Sequence, residues 1–230
     1  MKIAILTGAG VSAESGLSTF RDQNGLWEQY KISDVATPEA WERNKSLVLD
    51  FYNQRRIGIA NAQPNAGHIA LAKLEKHFKD TIIITQNIDD LHERAGSKNI
   101  IHLHGSIRES RSLANGAIFD ILGNKLNLGD HCPLGSQLRP NIVWFGEAVP
   151  KLEEAIPYCE DADIVIVAGT SLEVYPAASL VHYAQPSAMK FLIDPQMPPS
   201  IKLSGFRYEA NTAAIGLPKL VDHLISMNSL

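Results

Sequence analysis

Four short stretches of this chain carry side chains able to do chemistry. The first is Gly8-Ala9-Gly10-Val11-Ser12-Ala13, directly after an apolar run. It fits the G-x-G-x-x-A pattern, in which glycines let a backbone approach a pyrophosphate at a helix N-terminus. Glycine-rich strand ends are common, so nucleotide binding and a plain turn both stay open. The second stretch is Gln86-Asn87-Ile88-Asp89, after another apolar run. Amides and carboxylates so placed can hold a carboxamide, but they also cap ordinary turns. The third is His102-Leu103-His104-Gly105. Histidine suits general-base work near neutral pH. Two histidines two residues apart on a strand share one face, so spacing does not choose between them. The fourth is Tyr52-Asn53-Gln54-Arg55. At i and i+3 on a helix, the phenol and the guanidinium share one face. A guanidinium fork binds a carboxylate bidentately and a phenol adds one hydrogen bond, yet such pairs also decorate solvated helix faces.

The elements that must position these residues follow from periodicity. Ile3 to Leu6, Thr81 to Thr85, Asp163 to Val167 and Lys190 to Ile193 are short apolar runs rich in β-branched residues. Such runs suit strands covered on both faces. Ile100 to Leu103 and Asn141 to Phe145 are weaker strand candidates. Asn65 is a good N-cap for a helix over Ala66 to Lys76. Leu152 to Cys159 and Pro176 to Tyr183 are further helix candidates. Pro218 is expected near the start of a last helix striped by Leu220, Val221, Leu224 and Ile225. Strands alternating with helices predict an α/β fold with a parallel sheet. Two stretches break the alternation. Ser33 to Ile59 is helical in pattern, and Gly105 to Pro140 is rich in Gly, Asn, Asp and Ser without a clear period. Both read as insertions that fold together into a smaller lobe. The expected division gives residues 1–32, 71–104 and 141–230 to the large domain and residues 33–70 and 105–140 to the lobe.

Composition narrows the function classes. The 230 residues are 45% apolar and 20% charged, with a net charge of −4. A mildly acidic chain is not built around a phosphate backbone, so dedicated nucleic-acid binding is not expected. No apolar run approaches the roughly 18 residues of a membrane span. The N-terminus leads straight into the first strand without a signal-peptide core, and a cytoplasmic protein is expected. Two cysteines, Cys132 and Cys159, exclude a disulfide scaffold and a complete four-cysteine zinc site within one chain. A hydride-transferring dehydrogenase would need an acid about twenty residues past the glycine turn, ending a second strand. Glu28 has that spacing, but Leu26 to Tyr30 is not a convincing strand.

Further segments extend the pattern. The glycine turn runs on into Glu14-Ser15-Gly16-Leu17-Ser18-Thr19-Phe20-Arg21, and Val143-Trp144-Phe145-Gly146-Glu147 and Gly169-Thr170-Ser171 come later. Over nearly the whole chain this ordered set resembles the sirtuins, the NAD-dependent protein-lysine deacylases. It is most similar to the bacterial sirtuins of the desuccinylase-like class.

The resemblance implies a Rossmann-type large domain and a role for each motif. Gly8, Ala9, Gly10 and Ser12 would cradle the NAD pyrophosphate. Phe20 and Arg21 would lie beside the nicotinamide ribose, although the family often has Pro-x-Phe-Arg where this chain has Ser18-Thr19-Phe20-Arg21. Gln86, Asn87 and Asp89 would line the nicotinamide pocket. His104, picked out by the His-Gly dipeptide, would be the catalytic base, with Asn87 beside it in the catalytic set. Gly169, Thr170 and Ser171 would contact the adenine side. Asp194 stands where the family commonly has an Asn on the adenosine ribose. Val143, Phe145, Gly146 and Glu147 would belong to a segment pairing with an acyl-lysine peptide as an added strand. Tyr52 and Arg55 would hold a succinyl or malonyl carboxylate, with Ala36 leaving room for the longer chain. In the implied reaction the acyl oxygen attacks C1′ of the ribose and nicotinamide leaves. Free lysine and O-acyl-ADP-ribose are the other products. ADP-ribosyl transfer to protein on the same scaffold is the alternative, and a catalytically silent NAD- or peptide-binding module is a more distant one.

Most sirtuins bind zinc on two Cys-x-x-Cys pairs. By the same resemblance those positions fall on Ser112, Asn115, Cys132 and Gly135. Three of the four lack a thiolate, and no structural zinc is expected. Leu113, Ile118, Phe119, Ile121, Leu122, Leu126 and Leu128 are then the expected apolar support of the lobe.

Overall fold

The computed structural model describes residues 1–18, 30–198 and 205–228. Every residue of strand β1 (Ile3–Thr7) is buried, as its continuous apolar run requires. It lies at the centre of a parallel sheet with β2 (Thr81–Thr85), β3 (Ile100–His102), β7 (Ile164–Ala168), β8 (Met189–Ile193) and β9 (Phe206–Glu209), in the order β3-β2-β1-β7-β8-β9. Register is direct: Ile5 lies between Ile83 and Ile166. The order reverses at β1, so the loops after β1 and β7 diverge from a common crevice. Open α/β sheets bind ligands at such a crossover.

Alternate side chains of the strands feed two cores. Ile3, Ile5, Ile83, Ile166 and Ile193 pack under α5 (Ala66–His77) and α8 (Ala213–Met227). Ala4, Leu6, Ile84, Val167 and Leu192 pack under α7 (Leu152–Glu160) and a 3₁₀ helix, Ala177–His182. Cys159 lies in the second core, where burial pushes its thiol up to about 12. The boundary expected between residues 70 and 71 cuts α5, which the Asn65 side chain and His68 cap as one unit. Ala70, Leu71 and Leu74 seat the helix on the sheet, so residues 66–70 belong with the large domain.

A third core joins the two insertions. Helices α2 (Ile32–Val35), α3 (Pro38–Arg43) and α4 (Lys45–Asn61) cover an antiparallel sheet ordered β5-β4-β6, with β4 (Gly105–Ser112), β5 (Ile118–Asp120) and β6 (Leu138–Ile142). Val35, Trp41, Phe51 and Tyr52 meet Ile107, Leu126, Leu138 and Trp144 there. Two further helices are short: α1 (Gly10–Ala13) follows the glycine turn, and α6 (Leu91–Ala95) follows the β2 loop.

Several expectations change. The strand expected over Asn141 to Phe145 is β6, which ends at Ile142. Pro140 masks it in sequence but is tolerated because β6 pairs on one side only. Strand β4 buries Ser110 and Ser112 beside a single apolar residue, Ile107, which hides its alternation. Pro218 is not at the start of the last helix but inside it, because the helix begins at Ala213. There Gly216 lies against Ile193, where a Cβ would meet the Ile193 side chain at 2.6 Å.

Only part of the apolar set expected for the lobe supports it. Leu113, Ile118, Leu122 and Leu128 are exposed; Leu126 is buried, with Phe119 and Ile121 half-buried against the core. Polar clamps from α4 add to the apolar core. Asn53 donates to the Leu126 carbonyl at 3.0 Å and accepts from its amide at 2.9 Å. The wholly buried Arg56 donates to the Ile107 carbonyl at 2.8 Å and to Asn53 at 2.6 Å. At the four zinc-ribbon positions, Ser112 Oγ and Cys132 Sγ lie 3.2 Å apart. Asn115 accepts from the Ala117 amide, and Gly135 occupies a turn at φ +75°. A hydroxyl, an amide and a glycine do not form a zinc donor set with one thiol.

Candidate active site

The carboxyl ends of β1, β2, β7 and β8 open into a cleft of about 500 Å³ between the sheet and the lobe. Gly10 and Ser12 come from β1, Gln86, Asn87 and Asp89 from β2, Gly169, Thr170 and Ser171 from β7, and Asp194 from β8. His104, Tyr52, Arg55, Ala36, Val143, Phe145, Gly146 and Glu147 line the opposite side, and Ala9 lies beside Gly10. Gly8 sits behind the lining. Phe20 and Arg21 lie outside the described residues.

The glycines of the turn have a packing reason beyond any ligand. A Cβ on Gly8 would sit 2.7 Å from Thr170 Cβ, and one on Gly10 2.8 Å from Gly169 Cα. Gly169 is at φ +60°, and its own Cβ would meet Val11 N at 2.3 Å. The turn after β1 and the loop after β7 are therefore in backbone contact at the crossover, joined by Gly10 N–H donating to the Gly169 carbonyl at 2.8 Å.

Ser12 is the hub of the buried polar groups. Its hydroxyl donates to Asp89 Oδ2 at 3.0 Å and accepts from Asn87 Nδ2 at 3.1 Å. His68 supplies a third contact, at 3.4 Å from Nε2. The Asn65 amide donates to His68 Nδ1, so Nε2 carries the proton. One donor and two acceptor sites of the hydroxyl are thus used, which fixes the Asn87 and Asp89 side chains. Leu91 N–H also donates to Asp89 Oδ1 at 3.1 Å. Burial raises the Asp89 carboxyl above its usual range, and the Leu91 and Ser12 bonds pull it back in part. The His68 and His92 rings pack at 4.9 Å between centroids, tilted by 58°, and His92 meets Thr7 Oγ1 at 3.1 Å. Burial holds His68 down to about 4 and His92 well below its ordinary value, so both are neutral. The sequence reading missed these histidines; the Asn65-x-x-His68 capping spacing was the available signal.

The structure separates the two histidines of the third motif. His102 donates through Nδ1 to the Asn87 carbonyl at 2.9 Å and meets Glu93 Oε1 through Nε2 at 2.7 Å. Burial opposes its charge, but the Glu93 contact prevails and its pKa is raised. His104 donates through Nδ1 to the Gln86 carbonyl at 2.9 Å, which leaves Nε2 as the basic nitrogen. Burial lowers its pKa, and the Gln86 bond offsets this only in part. His104, not His102, lines the cleft.

Gly105 fixes the turn that presents His104. It lies at φ +81°, and a Cβ there would sit 1.9 Å from the Asn141 carbonyl oxygen. Gly105→Ala is expected to destabilise the protein by about 2–4 kcal/mol, or roughly 5–10 °C in Tm, and to displace His104. Thermal unfolding checks this: an unchanged Tm would contradict the assigned strain.

At the lobe side of the cleft, Tyr52 is buried and accepts from Trp144 Nε1 at 3.0 Å. Arg55, one turn on, lines the cleft with it, while Arg56 turns into the lobe. Burial lowers the Arg55 pKa, and Tyr52 and Asp89 nearby oppose this. The Ala36 carbonyl accepts from Phe145 N–H at 3.0 Å. Glu147 bonds Arg139 at 2.7 Å, Arg111 at 2.8 Å and the Trp144 amide at 2.8 Å. Burial works against its charge, and these partners outweigh burial to hold its pKa below the usual range. Glu147 therefore braces the segment from below. Asp194 is buried, and its Oδ1 accepts from Gln196 N–H at 2.9 Å.

A cleft at a sheet crossover, with buried amide and carboxylate groups in its centre and a basic histidine at the wall, defines a dinucleotide-using α/β enzyme. Its size is within the usual range for small-ligand sites, and its donors and acceptors fit NAD. Strand β2 runs into Gln86 and not into a dehydrogenase-type acid, and Glu28 lies outside the described residues.

Comparison with known proteins narrows the class. The Sir2 family profile matches residues 8–176. An NAD-dependent protein deacylase of Helicobacter pylori is 54% identical over 194 residues, covering 84% of each chain. A Sir2 homologue solved as an NAD complex is 40% identical with a TM-score of 0.89, covering 98% of this chain and 90% of its own. A mutant Sir2 homologue solved with ADP-ribose is 41% identical with a TM-score of 0.91, covering 100% of this chain and 94% of its own. The chain belongs to the Sir2 family.

Proposed function

We infer that this protein is an NAD-dependent protein-lysine deacylase whose pocket accepts succinyl and malonyl groups as well as acetyl. Family membership and the deacylase relatives support the reaction. The observation that carries the acyl preference is that Tyr52 and Arg55 line the same cleft as His104. A cationic fork and a phenol in a largely buried site favour an acyl chain ending in a carboxylate.

When bound, NAD supplies an electrophilic ribose carbon and nicotinamide as leaving group. The chain's own residues do the rest. Asn87 and Asp89, held by Ser12, orient a carboxamide. His104 accepts a proton at Nε2 while its Nδ1–H stays on the Gln86 carbonyl. Gly10 fits the pyrophosphate side, Thr170 fits the adenine side, and Asp194 fits ribose hydroxyls. Strand addition by the peptide remains the reading for residues 143–147. The amides of Val143 and Phe145 already donate to His104 and Ala36 carbonyls, so the added strand would use carbonyls of the segment.

Nicotinamide release that requires both NAD and an acyl-lysine peptide tests the reaction. Release that is indifferent to the peptide would contradict it. Among the described residues, no helix is long and apolar enough to cross a membrane; a cytoplasmic location is part of this proposal.

The lobe is expected to fold without zinc, given the donor set at Ser112, Asn115, Cys132 and Gly135. Elemental analysis of the purified protein should find no stoichiometric zinc, and one equivalent per chain would contradict the assignment.

A further inference from the structure

We propose that Trp144 sets the acyl preference by fixing the direction of the Tyr52 hydroxyl: its indole N–H fills the acceptor side, so the phenolic proton is left for an acyl carboxylate. This inference rests on the acidic-acyl reading above. The Nε1–O distance is 3.0 Å and both side chains are buried. An indole N–H only donates, so this bond has a single possible polarity. A phenol has one proton, which this bond does not use. Burial holds the Tyr52 pKa up at about 12, so that proton stays on at neutral pH. A carboxylate can only accept. Without the indole donor, the hydroxyl is free to spend its proton elsewhere, and the pocket loses its directed donor.

Trp144 is itself held in place. The Arg139 guanidinium lies over its ring at 3.2 Å from the centroid, and the Trp41 ring packs at 5.9 Å. Glu147 binds both the Arg139 guanidinium and the Trp144 amide. The Arg139 guanidinium also donates to the Ile142 carbonyl at 2.8 Å. A continuous set of contacts, Glu147 to Arg139 to Trp144 to Tyr52, thus runs from strand β6 to the acyl pocket. Trp144 acts through Tyr52, as a positioning residue.

Trp144→Phe keeps a ring and removes the donor. The test compares kcat/KM on matched succinyl and acetyl peptides for wild type, Trp144→Phe, Tyr52→Phe and the double variant. The succinyl-to-acetyl ratio is expected to fall roughly three- to tenfold in each single variant, the scale of one hydrogen bond. Adding Trp144→Phe to Tyr52→Phe should change the ratio no further. Loss of packing alone would lower both activities and leave the ratio in place, which would overturn the inference. An equal second drop in the double variant would also overturn it. Should Trp144→Phe not fold, Tyr52→Phe alone decides, since an unmoved ratio there removes the donated proton from the explanation. Arg55→Met separates the two levels. A selective loss with an unmoved Trp144→Phe ratio overturns this inference alone, whereas equal losses on both peptides overturn the acidic-pocket reading and the inference with it.

Discussion

Replacing His104 with Ala is expected to lower kcat/KM by about 10²- to 10⁴-fold on every acyl-lysine peptide, the usual contribution of a positioned general base. The geometry gives the reason. His104 is anchored by Nδ1–H on the Gln86 carbonyl at 2.9 Å, so its basic nitrogen is Nε2 in one fixed orientation. Removing the ring leaves no other imidazole among the described residues that line the cleft. His102 does not substitute, because its two nitrogens are engaged by the Asn87 carbonyl and Glu93. The pH dependence has a definite sign. A base works when neutral, and burial lowers the His104 pKa. The acid limb of kcat/KM should therefore lie below the ordinary imidazole value of about 6.5. A limb at or above that value, or a wild-type limb surviving in His104→Ala, would contradict the assignment.

Arg55→Met is the second large effect. It should cost desuccinylation roughly 30- to 150-fold, corresponding to about 2–3 kcal/mol for a charged, bidentate contact. Deacetylation should change only several-fold, because an acetyl group ends in a methyl. Arg55 stays charged in spite of its burial, since a guanidinium does not release its proton in proteins. Arg55→Lys should fall between, as an ammonium offers a point charge without the fork. Steady-state kinetics on matched peptides decides. Equal losses on the two substrates would mean that Arg55 holds the cleft together instead of reading the acyl group.

The parts of the fold legible in sequence were those set by short-range pattern. The β1, β2, β7 and β8 runs are apolar on both faces and need no partner to be recognised. The glycine turn was legible too, though its first meaning was incomplete: Gly8 and Gly10 are glycines because the Gly169 loop lies against them, whatever else binds there. The spacing of His102 and His104 could not choose the base. The choice comes from what each Nδ1 and Nε2 meets, and those partners lie 9 to 18 residues away. Likewise Arg55 and Arg56 differ only in the helix face each occupies.

Non-local polar order was not legible. Ser12 and His68 meet across 56 residues of chain, Thr7 and His92 across 85, and the His68 and His92 rings pack together, yet each alone is an ordinary helix, strand or loop residue. The support of the lobe was legible only in part for the same reason. Of the seven apolar residues expected there, Leu113, Ile118, Leu122 and Leu128 are exposed, whereas Phe119, Ile121 and Leu126 pack in its core. The bonds that close the lobe run from Asn53 and Arg56 on α4 to the carbonyls of Leu126 and Ile107, and no local pattern announces them.

The most direct test is mass spectrometry of the purified chain incubated with NAD and a matched panel of acetyl-, malonyl- and succinyl-lysine peptides. The expected result is loss of the acyl group from each peptide, with nicotinamide and O-acyl-ADP-ribose formed in step and the acidic acyl groups removed efficiently. Peptides that keep their acyl group while a protein or peptide gains ADP-ribose, or absorbance from reduced nicotinamide, would contradict it.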